Sequence, residues 1–506
     1  MTNRTRGVAV AAVLALGGCT VGPDFTPPNW ASPASWFGSS RPEAARPVSY
    51  AVTEPVDPNW WNLFHDPQLT ALERRVAAEN LDVKTAAIRF EESRQQLASA
   101  RSTQFPTLNG NASFERQKPS DNGIFAAAPN ASGANGQFGN TTGGLDSHGI
   151  SAFDVYQYGF DASWEVDFWG RVRRSIESAS AASDAALEAQ RAALLASLAE
   201  VARDYMLLRG TQTQLQIARD NVRTAQQSLK LTQERAVGGV TTDLDVANAS
   251  AQLRTTAAQI PALQQQEASF INALSLLLGQ GPQALRAELE GAKPVPPVPP
   301  QVPVGLPSEL ARRRPDIRQA EAQLHAATAD IGVAQAAFYP SITLNGSVGM
   351  QSMQLNHAFD LNSRQFGIGP GLTIPIFQGG QLRSQLRLRE AQQQEAAVNY
   401  QKTVLQAWHD VDNALTAYQA EQARREQLTQ AVAENQRALN LAQTRYQQGV
   451  SDFLTVLDAE RSLLASQQQL ADSTTTVSAN LVALYKALGG GWETDMPLTR
   501  TASAAP

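Results

Sequence analysis

The chain has 506 residues, a formal net charge of −6 at pH 7 and 42% hydrophobic residues. This mildly acidic balance argues against a nucleic-acid binder, because such proteins carry basic surfaces. No apolar stretch approaches the roughly 20 residues of a membrane-spanning helix. The five histidines are scattered without ligand spacing, and no phosphate loop, nucleophile motif or paired-carboxylate pattern stands out. We therefore predict no catalytic residue, no metal site and no cofactor.

The first residues have the features of an export signal. Two arginines precede a short apolar run, Val8 to Leu16, and small residues lead to Cys19, the only cysteine. The stretch resembles a bacterial lipobox, which implies that residues 1–18 are removed and that Cys19 carries lipid. Thr20 follows, where an aspartate is the usual inner-membrane retention signal, so the resemblance favours the outer membrane. A signal peptide beside an incidental cysteine is the alternative.

Most of the chain is an internal repeat. Residues 170–279 align without a gap on residues 380–489, at an offset of 210. Upstream the offset is 234, so the first copy has 24 extra residues, which lie in a Gly/Asn/Ala-rich stretch that predicts a long loop. Between the copies, residues 294–307 contain seven prolines, which predicts an extended connector.

Each copy contains one very long helix-forming stretch. Arg171 to Val237 has a single glycine, and Gln381 to Gln448 has neither glycine nor proline. Each helix would be about 100 Å long, and helices of this length indicate coiled-coil packing. Leu81 to Gln104 and Thr241 to Leu278 predict two shorter helices that stack end to end beside the first, with a kink at Pro261.

Four segments alternate apolar and polar residues with period two and have about the length of membrane β-strands. A half-buried sheet of a soluble domain has the same pattern. Two observations favour lipid. One end of the segments carries only polar, Gly-rich loops. The other end has aromatic residues at all four strand-to-helix junctions, as in an interfacial girdle: Phe105, Phe168, Trp169, Tyr339 and Phe377.

A sheet in lipid has to close, because an open edge leaves unpaired backbone groups in hydrocarbon. Four strands are too few, since common barrels have at least about eight. The chain is therefore expected to oligomerise, as a dimer with eight strands or a trimer with twelve.

These residues resemble the outer membrane factor family of TolC-like channels, and specifically its NodT-type lipoprotein branch. The resemblance rests on five stretches: CTVGPDF from residue 19, WWNLFHDPQL from 60, LPSELARRRPDI and its continuation from 306, FQGG from 377, and GVSDFLTVLDAERSLL from 449. It implies an α+β membrane protein. Its trimeric twelve-stranded outer-membrane β-barrel has four strands per chain and continues as a twelve-helix periplasmic α-barrel.

Together these observations predict the domain organisation. We expect a signal peptide at 1–18, a lipidated segment at 19–58, repeat 1 at 59–293, the connector at 294–307, repeat 2 at 308–490 and a tail at 491–506. Strands are expected near 106–116, 157–168, 340–350 and 366–377, and long helical hairpins at 170–279 and 380–489.

The turns of the two hairpins are predicted to be tips at the end remote from the strands. VGGVTTDL and QQGVSDFL each place a glycine where a helix ends in left-handed geometry, then Ser or Thr where the next helix begins. These tips are the expected contact with a periplasmic adaptor, through Gly239, Val240, Gly449 and Val450.

The family's periplasmic constriction resembles Leu454 and Asp458, with Arg461 one turn further on. Three copies around an axis would form a narrow ring of carboxylates that attracts cations and holds a closed state. The alternative is an ordinary surface pair of Asp458 with Arg461 at i, i+3. The charged constriction is expected in the second hairpin alone, because the first has Leu244, Asn248 and Ala251 at these places.

The resemblance implies the exit duct of a tripartite efflux system and not an enzyme. Its expected partners are two further copies of the chain, outer-membrane lipid, a periplasmic adaptor or membrane fusion protein, and an inner-membrane transporter of RND type. A type I protein-secretion duct has the same architecture. A periplasmic coiled-coil lipoprotein that tethers envelopes without a pore is a second alternative, but it leaves the four alternating strands unexplained.

Overall fold

The computed structural model describes residues 20–28, 49–118 and 152–493. Cys19, the expected signal peptide, most of the long loop after the first expected strand and the tail from residue 494 lie outside the described residues. The chain divides into two compact units. Unit 1 comprises Met1–Phe25, Gln95–Ser180 and Ala326–Gln393, and unit 2 comprises Thr26–Arg94, Ala181–His325 and Gln394–Pro506.

Helices dominate the described residues. In chain order the elements are β1 (Tyr50–Val52), α1 (Pro67–Glu79), α2 (Leu81–Ser102), β2 (Thr107–Gln117), β3 (Phe153–Val166), α3 (Arg171–Val237), α4 (Asp243–Ala257), α5 (Gln259–Leu277), α6 (Arg286–Leu289), β4 (Gln301–Pro303), α7 (Leu310–Arg313), α8 (Pro315–Ala336), β5 (Ser341–Ser352), β6 (Arg364–Thr373), α9 (Gln381–Gln447) and α10 (Phe453–Ala487). Among the described helices, none combines the length and the apolar composition needed to cross a membrane.

Unit 1 contains an antiparallel sheet in the order β2-β3-β5-β6, so β2 and β6 are its edges. The strands differ from the expected bounds at two ends. β3 begins at Phe153, four residues before the expected start at 157, and β6 ends at Thr373 although 377 was expected. Pro375 explains the early end of β6, because proline has no N–H to donate to a strand ladder.

The two longest helices, α3 and α9, each have 67 residues. The stretch after α3, expected as one helix, forms two helices. α4 ends at Ala257 and α5 begins at Gln259. Instead of the expected kink at Pro261, the helix breaks at Ala258, three residues earlier. The ring of a proline clashes with the carbonyl four residues before it, which here is that of Ala257.

The core of unit 2 contains the WWNLFHDPQL stretch. Trp60 is fully buried, its ring stacks on that of Tyr485 at 5.2 Å, and its Nε1 donates to the carbonyl of Gly490 at 3.1 Å. Asp66 caps α1 by accepting the backbone N–H groups of Gln68 and Leu69. The stretch therefore joins the start of repeat 1 to the end of repeat 2.

The proline-rich connector is not wholly extended chain. Its residues Gln301–Pro303 form β4, which pairs in parallel with β1. Beyond it, Arg314 of the LARRRPDI stretch binds the carboxylates of Asp316 and Asp410 at 2.7 and 3.1 Å, and donates to the carbonyl of Ala487 at 3.0 Å. This arginine fixes the start of α8 to α9 and to the C-terminal end of α10.

Within unit 2, α3 packs tightly against α10 at Gly210. A Cβ at this position would lie 2.1 Å from Oγ1 and 2.6 Å from Cγ2 of Thr475. The single glycine of α3 is therefore required by packing. Its counterpart in the second repeat is Ala420, where no such approach is needed.

Gly210→Ala should destabilise the protein by about 1–3 kcal/mol, the usual cost of overpacking. The sign is diagnostic, because Gly→Ala in an unobstructed helix stabilises by about 0.5–1 kcal/mol. Thermal unfolding followed by circular dichroism in detergent measures the change, and Thr475→Ala in the same chain should restore part of the loss. Gly281→Ala is the control, since its Cβ would have nothing within 4 Å. A Gly210→Ala protein that unfolds at or above the wild-type temperature would contradict this packing.

Candidate functional site

The strand register gives the sheet of unit 1 two chemically opposite faces. Leu108 pairs with Ala162, Phe160 with Val348, and Val348 with Phe366, so these side chains lie on one face. Large apolar residues continue this face on all four strands, and most are exposed in the single chain: Leu108, Phe114, Phe160, Leu344, Val348, Phe366, Ile368 and Leu372. We call this set the apolar face.

The opposite face is polar or glycine except for Phe153 and Val155, near the start of β3. On it Asp161 accepts the side-chain amides of Asn109, at 3.4 Å, and Asn111. Ser163 donates to the side-chain oxygen of Asn345 at 2.9 Å. Hydroxyl, amide and carboxylate groups of this kind suit a water-filled lumen.

The strand-to-helix junctions all lie at one end of the sheet, because Thr107 pairs with Ser163 and Ser341 with Thr373. Among the aromatic residues expected there, Trp169 and Tyr339 stack at 4.7 Å, and Nε1 of Trp169 donates to the carbonyl of Pro340 at 2.9 Å. Phe168 lies next to this pair in sequence. The two remaining members, Phe105 and Phe377, are exposed at their own junctions.

The N-terminal segment binds at this junction, which the sequence did not predict. The N–H of Val21 donates to the carbonyl of Trp169 at 3.1 Å, and Arg174 binds the carboxylate of Asp24 at 2.6 Å. Gly22 has φ +100°, and a Cβ there would lie 2.5 Å from the Cα of Gly332. The CTVGPDF stretch therefore needs its glycine for a close approach to α8.

A loop at the opposite end of the sheet is less polar than expected. Only polar, Gly-rich loops were expected there, but the loop between β5 and β6 exposes four apolar side chains. These are Met353, Leu355, Phe359 and Leu361. This loop contains polar and apolar residues side by side, and the alternation of the strands does not indicate which loop side chains are exposed.

The two hairpin turns, in unit 2, have the same backbone geometry. Gly239 and Gly449 have φ of +71° and +73°. Val240 donates to the carbonyl of Arg235, and Val450 donates to that of Arg445, as in the left-handed termination of a helix. Both valines are 65% exposed.

The helix starts after the turns differ from each other. Thr242 caps α4, and its N–H and hydroxyl donate to the carboxylate of Asp245. In the second hairpin the cap is Asp452 and not Ser451, because the Asp452 carboxylate accepts the N–H and the hydroxyl of Thr455. These hydrogen bonds lower the pKa of Asp452.

The candidate gate residues lie on the exposed side of α10. Leu454 is 49% exposed and Asp458 is exposed, while Phe453, Val456 and Leu457 face the core. Within the described residues, Asp458 has no hydrogen-bond or ion-pair partner. The surface pair with Arg461 considered as the alternative is absent there, because the guanidinium of Arg461 donates to the side-chain oxygen of Gln252 at 2.9 Å.

A ladder of polar contacts joins α10 to α3. Ser228 donates to Glu460, Asn221 to Gln467 at 2.9 Å, and Gln214 to Asp472. The α3 members are seven residues apart, which is the coiled-coil repeat. This spacing of polar residues is a signal that the sequence itself contains.

A second ladder joins α10 to the helices that follow the first turn. Arg461 binds Gln252 of α4, and Gln468 donates to Gln259 of α5 at 2.7 Å. Arg461 and Gln468 are seven residues apart in the chain, and so are their partners Gln252 and Gln259. Between the turns themselves, the Arg235 guanidinium lies 4.6 Å from the centre of the Tyr446 ring and donates to the carbonyl of Gln447.

Glu460 is the buried titratable group nearest the candidate gate. Burial raises the pKa of its carboxyl, although hydrogen bonds from Ser228 and Gln443 oppose the shift. The contact that holds α10 to α3 thus contains a partly desolvated carboxyl two residues from Asp458. Nothing in the local sequence distinguishes this glutamate from the solvated glutamates of the same helices.

Comparison with known proteins decides the family. The family model described as "Outer membrane efflux protein" matches residues 72–280 and 306–490. The chain belongs to the outer membrane efflux protein family. The expectation drawn from the sequence motifs is confirmed.

Relatives and solved structures cover nearly the whole outer membrane efflux protein. The solvent efflux pump outer membrane protein SrpC of Pseudomonas putida is 33% identical over 96% of this chain and 98% of its own length. The probable outer membrane lipoprotein SilC of Salmonella typhimurium is 31% identical over 96% and 98%. The outer-membrane channel OprN is 32% identical, with a TM-score of 0.83 over 94% of this chain and 100% of that chain.

The protein is thus the outer-membrane exit duct of an efflux system, and it has the fold of the outer-membrane efflux channels. Membership of a channel family also accounts for the lack of a catalytic motif in the sequence.

Proposed function

We propose that three copies of the chain form a passive duct for small molecules, which an inner-membrane transporter and a periplasmic adaptor deliver. The four-stranded sheets would close into a twelve-stranded barrel in the outer membrane, and the long helices would form a twelve-helix barrel in the periplasm. The names of relatives such as SrpC support small apolar or amphiphilic cargo rather than protein.

The apolar face carries this proposal. Its residues are exposed in a single chain, with Phe366 at 81% and Ile368 at 80%, and its polar reverse would line the lumen. Within the part of the chain that the structure describes, both edges of the sheet, β2 and β6, lack a further paired strand. An open edge in hydrocarbon costs several kcal/mol for each unpaired backbone group, so β6 of one copy would pair with β2 of the next. The family resemblance favours three copies over two.

The N-terminal segment would anchor the duct. We propose that Cys19 carries the lipid, because Thr20 to Asp24 are held at the junction that includes Trp169 and Tyr339. Trp and Tyr at such a junction suit the interface between lipid headgroups and acyl chains. Phe105, Phe168 and Phe377 would complete the girdle at the same depth.

The second hairpin would be the gate. Three copies of Leu454 and Asp458 would surround the axis, since Asp458 is exposed and has no partner in the described part of its own chain. Arg461 would hold the closed state through Gln252 of the first hairpin rather than through Asp458. Opening would then move α10 outward and break the bonds to α3 and α4.

The hairpin turns would bind the adaptor. Val240 and Val450 offer equally exposed apolar side chains at matching places of the two hairpins. Gly239 and Gly449 would allow the turn itself, because their positive φ is a conformation that side chains rarely adopt.

Electron cryomicroscopy of the acylated protein in lipid nanodiscs tests the duct directly. We expect three-fold symmetry, a hollow axis and a helical tube about 100 Å long that projects from the disc, the length of 67 residues at 1.5 Å each. A solid helical rod, or a particle that lies outside the lipid, would instead support the tethering lipoprotein.

Asp458→Ala should raise the single-channel conductance of the protein in planar lipid bilayers several-fold, because it removes the carboxylate ring from the constriction. Asn248→Ala is the matched control, since it alters the corresponding position of the first hairpin and should change conductance little. Equal effects of the two substitutions would rule out a gate confined to the second hairpin.

Val240→Glu combined with Val450→Glu should abolish binding of the purified cognate adaptor, because charge replaces the apolar contact at every tip. The symmetry of the particle should be unchanged. Val398→Glu, at a 63% exposed position of α9, is the control. Unaltered adaptor binding by the double variant would exclude the tips as the contact. Substitution of the glycines is less informative, because it strains the turn.

A further inference from the structure

The loop between β5 and β6 exposes more apolar surface than its position at the end of a sheet requires. Four of its side chains are exposed: Met353 at 65%, Leu355 at 60%, Phe359 at 75% and Leu361 at 72%. Burial of large apolar side chains is favourable, so a group of them exposed to water usually marks an interaction surface. We call these four residues the loop patch.

The loop patch is presented by an ordered loop. Two single turns of 3-10 helix, Leu355–His357 and Leu361–Ser363, form most of the loop. The Asp360 carboxylate lies 2.6 Å from Nδ1 of His357, and the Ser363 hydroxyl donates to the carbonyl of His357 at 2.7 Å. The Ser352 hydroxyl donates to the carbonyl of Gln354 at 2.9 Å. The apolar side chains are therefore held outward by a defined backbone.

The loop folds back over the apolar face and not over the polar one. Tyr158, which shares a face with Phe160 and Val348, donates its hydroxyl to the carbonyl of Ala358 at 3.0 Å. The ring of Phe359 lies 5.4 Å from the ring of Tyr158. Ala358 is buried by this contact. The loop patch is thus continuous with the face proposed to meet lipid.

A charged residue marks the end of the apolar face. Arg364 pairs with Met350 and so lies on that face, directly after the loop. A lipid-facing arginine is tolerated near the membrane surface, where its long side chain reaches the headgroups. The loop patch precedes Arg364 in the chain by a few residues. It lies at the opposite end of the sheet from Trp169 and Tyr339.

We propose that the loop patch inserts into the outer leaflet of the outer membrane, where its side chains contact the acyl chains of lipid. The proposal rests on the proposed function, since it requires that the apolar face crosses the membrane. The loop would be a second interfacial anchor. Its Met, Leu and Phe side chains would lie below the lipid headgroups, and Arg364 would lie at the level of the headgroups. The duct would then be held at both surfaces of the membrane.

The experiment uses the acylated protein with one added cysteine, a nitroxide label and vesicles of phosphatidylethanolamine and phosphatidylglycerol. Leu361→Cys and Leu355→Cys place the label in the loop patch. Ile368→Cys on the apolar face and Gln365→Cys on the polar face are the matched controls on β6. Labelling of the wild-type protein measures any contribution of Cys19, which is subtracted. Electron paramagnetic resonance then compares collision rates with oxygen, which concentrates in hydrocarbon, and with a water-soluble nickel chelate.

We expect both loop labels to have an oxygen-to-nickel collision ratio several-fold above that of Gln365→Cys and below that of Ile368→Cys. A ratio like that of Gln365→Cys, with Ile368→Cys still in lipid, would overturn the proposal. Protection from both reagents would overturn it in favour of contact with a second copy of the chain. An aqueous ratio at Ile368→Cys would show that the proposed membrane sheet itself is wrong.

Discussion

A slip of one residue between two neighbouring strands of the sheet would turn every side chain of the slipped strand to the opposite face, because strand side chains alternate with period two. The observed register avoids this on all three strand pairs. Phe160, Val348 and Phe366 share a face across β3, β5 and β6, and Asn109 and Asp161 share the other face. The separation of the apolar face from the polar one depends on this register, and with it the proposed lipid surface and lumen.

The helical part depends on a different kind of contact. Along α10, many interhelix contacts join hydroxyl, amide and carboxylate groups, such as Asn221 with Gln467 and Gln259 with Gln468. A net hydrogen bond contributes only about 0.5–1.5 kcal/mol, and these bonds have polar replacements in water. At such contacts helices can separate at a smaller cost than at the apolar cluster that includes Phe453, Val456 and Leu457 of the same helix. Glu460 belongs to the polar set, and burial raises the pKa of its carboxyl while the hydrogen bond from Ser228 lowers it.

Contacts at the two ends of the sheet join residues that are distant from each other in the chain. At one end of the sheet, Trp169 and Tyr339 come from different repeats and stack, and the segment after Cys19 binds beside them through Val21 and Arg174. At the other end, the loop between β5 and β6 folds onto Tyr158. The N-terminal segment and the β5–β6 loop thus contact opposite ends of one sheet.

The sequence by itself determined the element types, the two long helices, the glycine turns at Gly239 and Gly449, and the alternation of each strand. These properties depend on residues that are neighbours in the chain, and the family motifs added the function. Only the tertiary structure decided that Gly210 meets Thr475, that Arg461 binds Gln252 and not Asp458, and that the β5–β6 loop turns its apolar side chains outward. Such contacts join residues up to hundreds of positions apart, or depend on how a loop folds onto a sheet. Local periodicity contains no information about either.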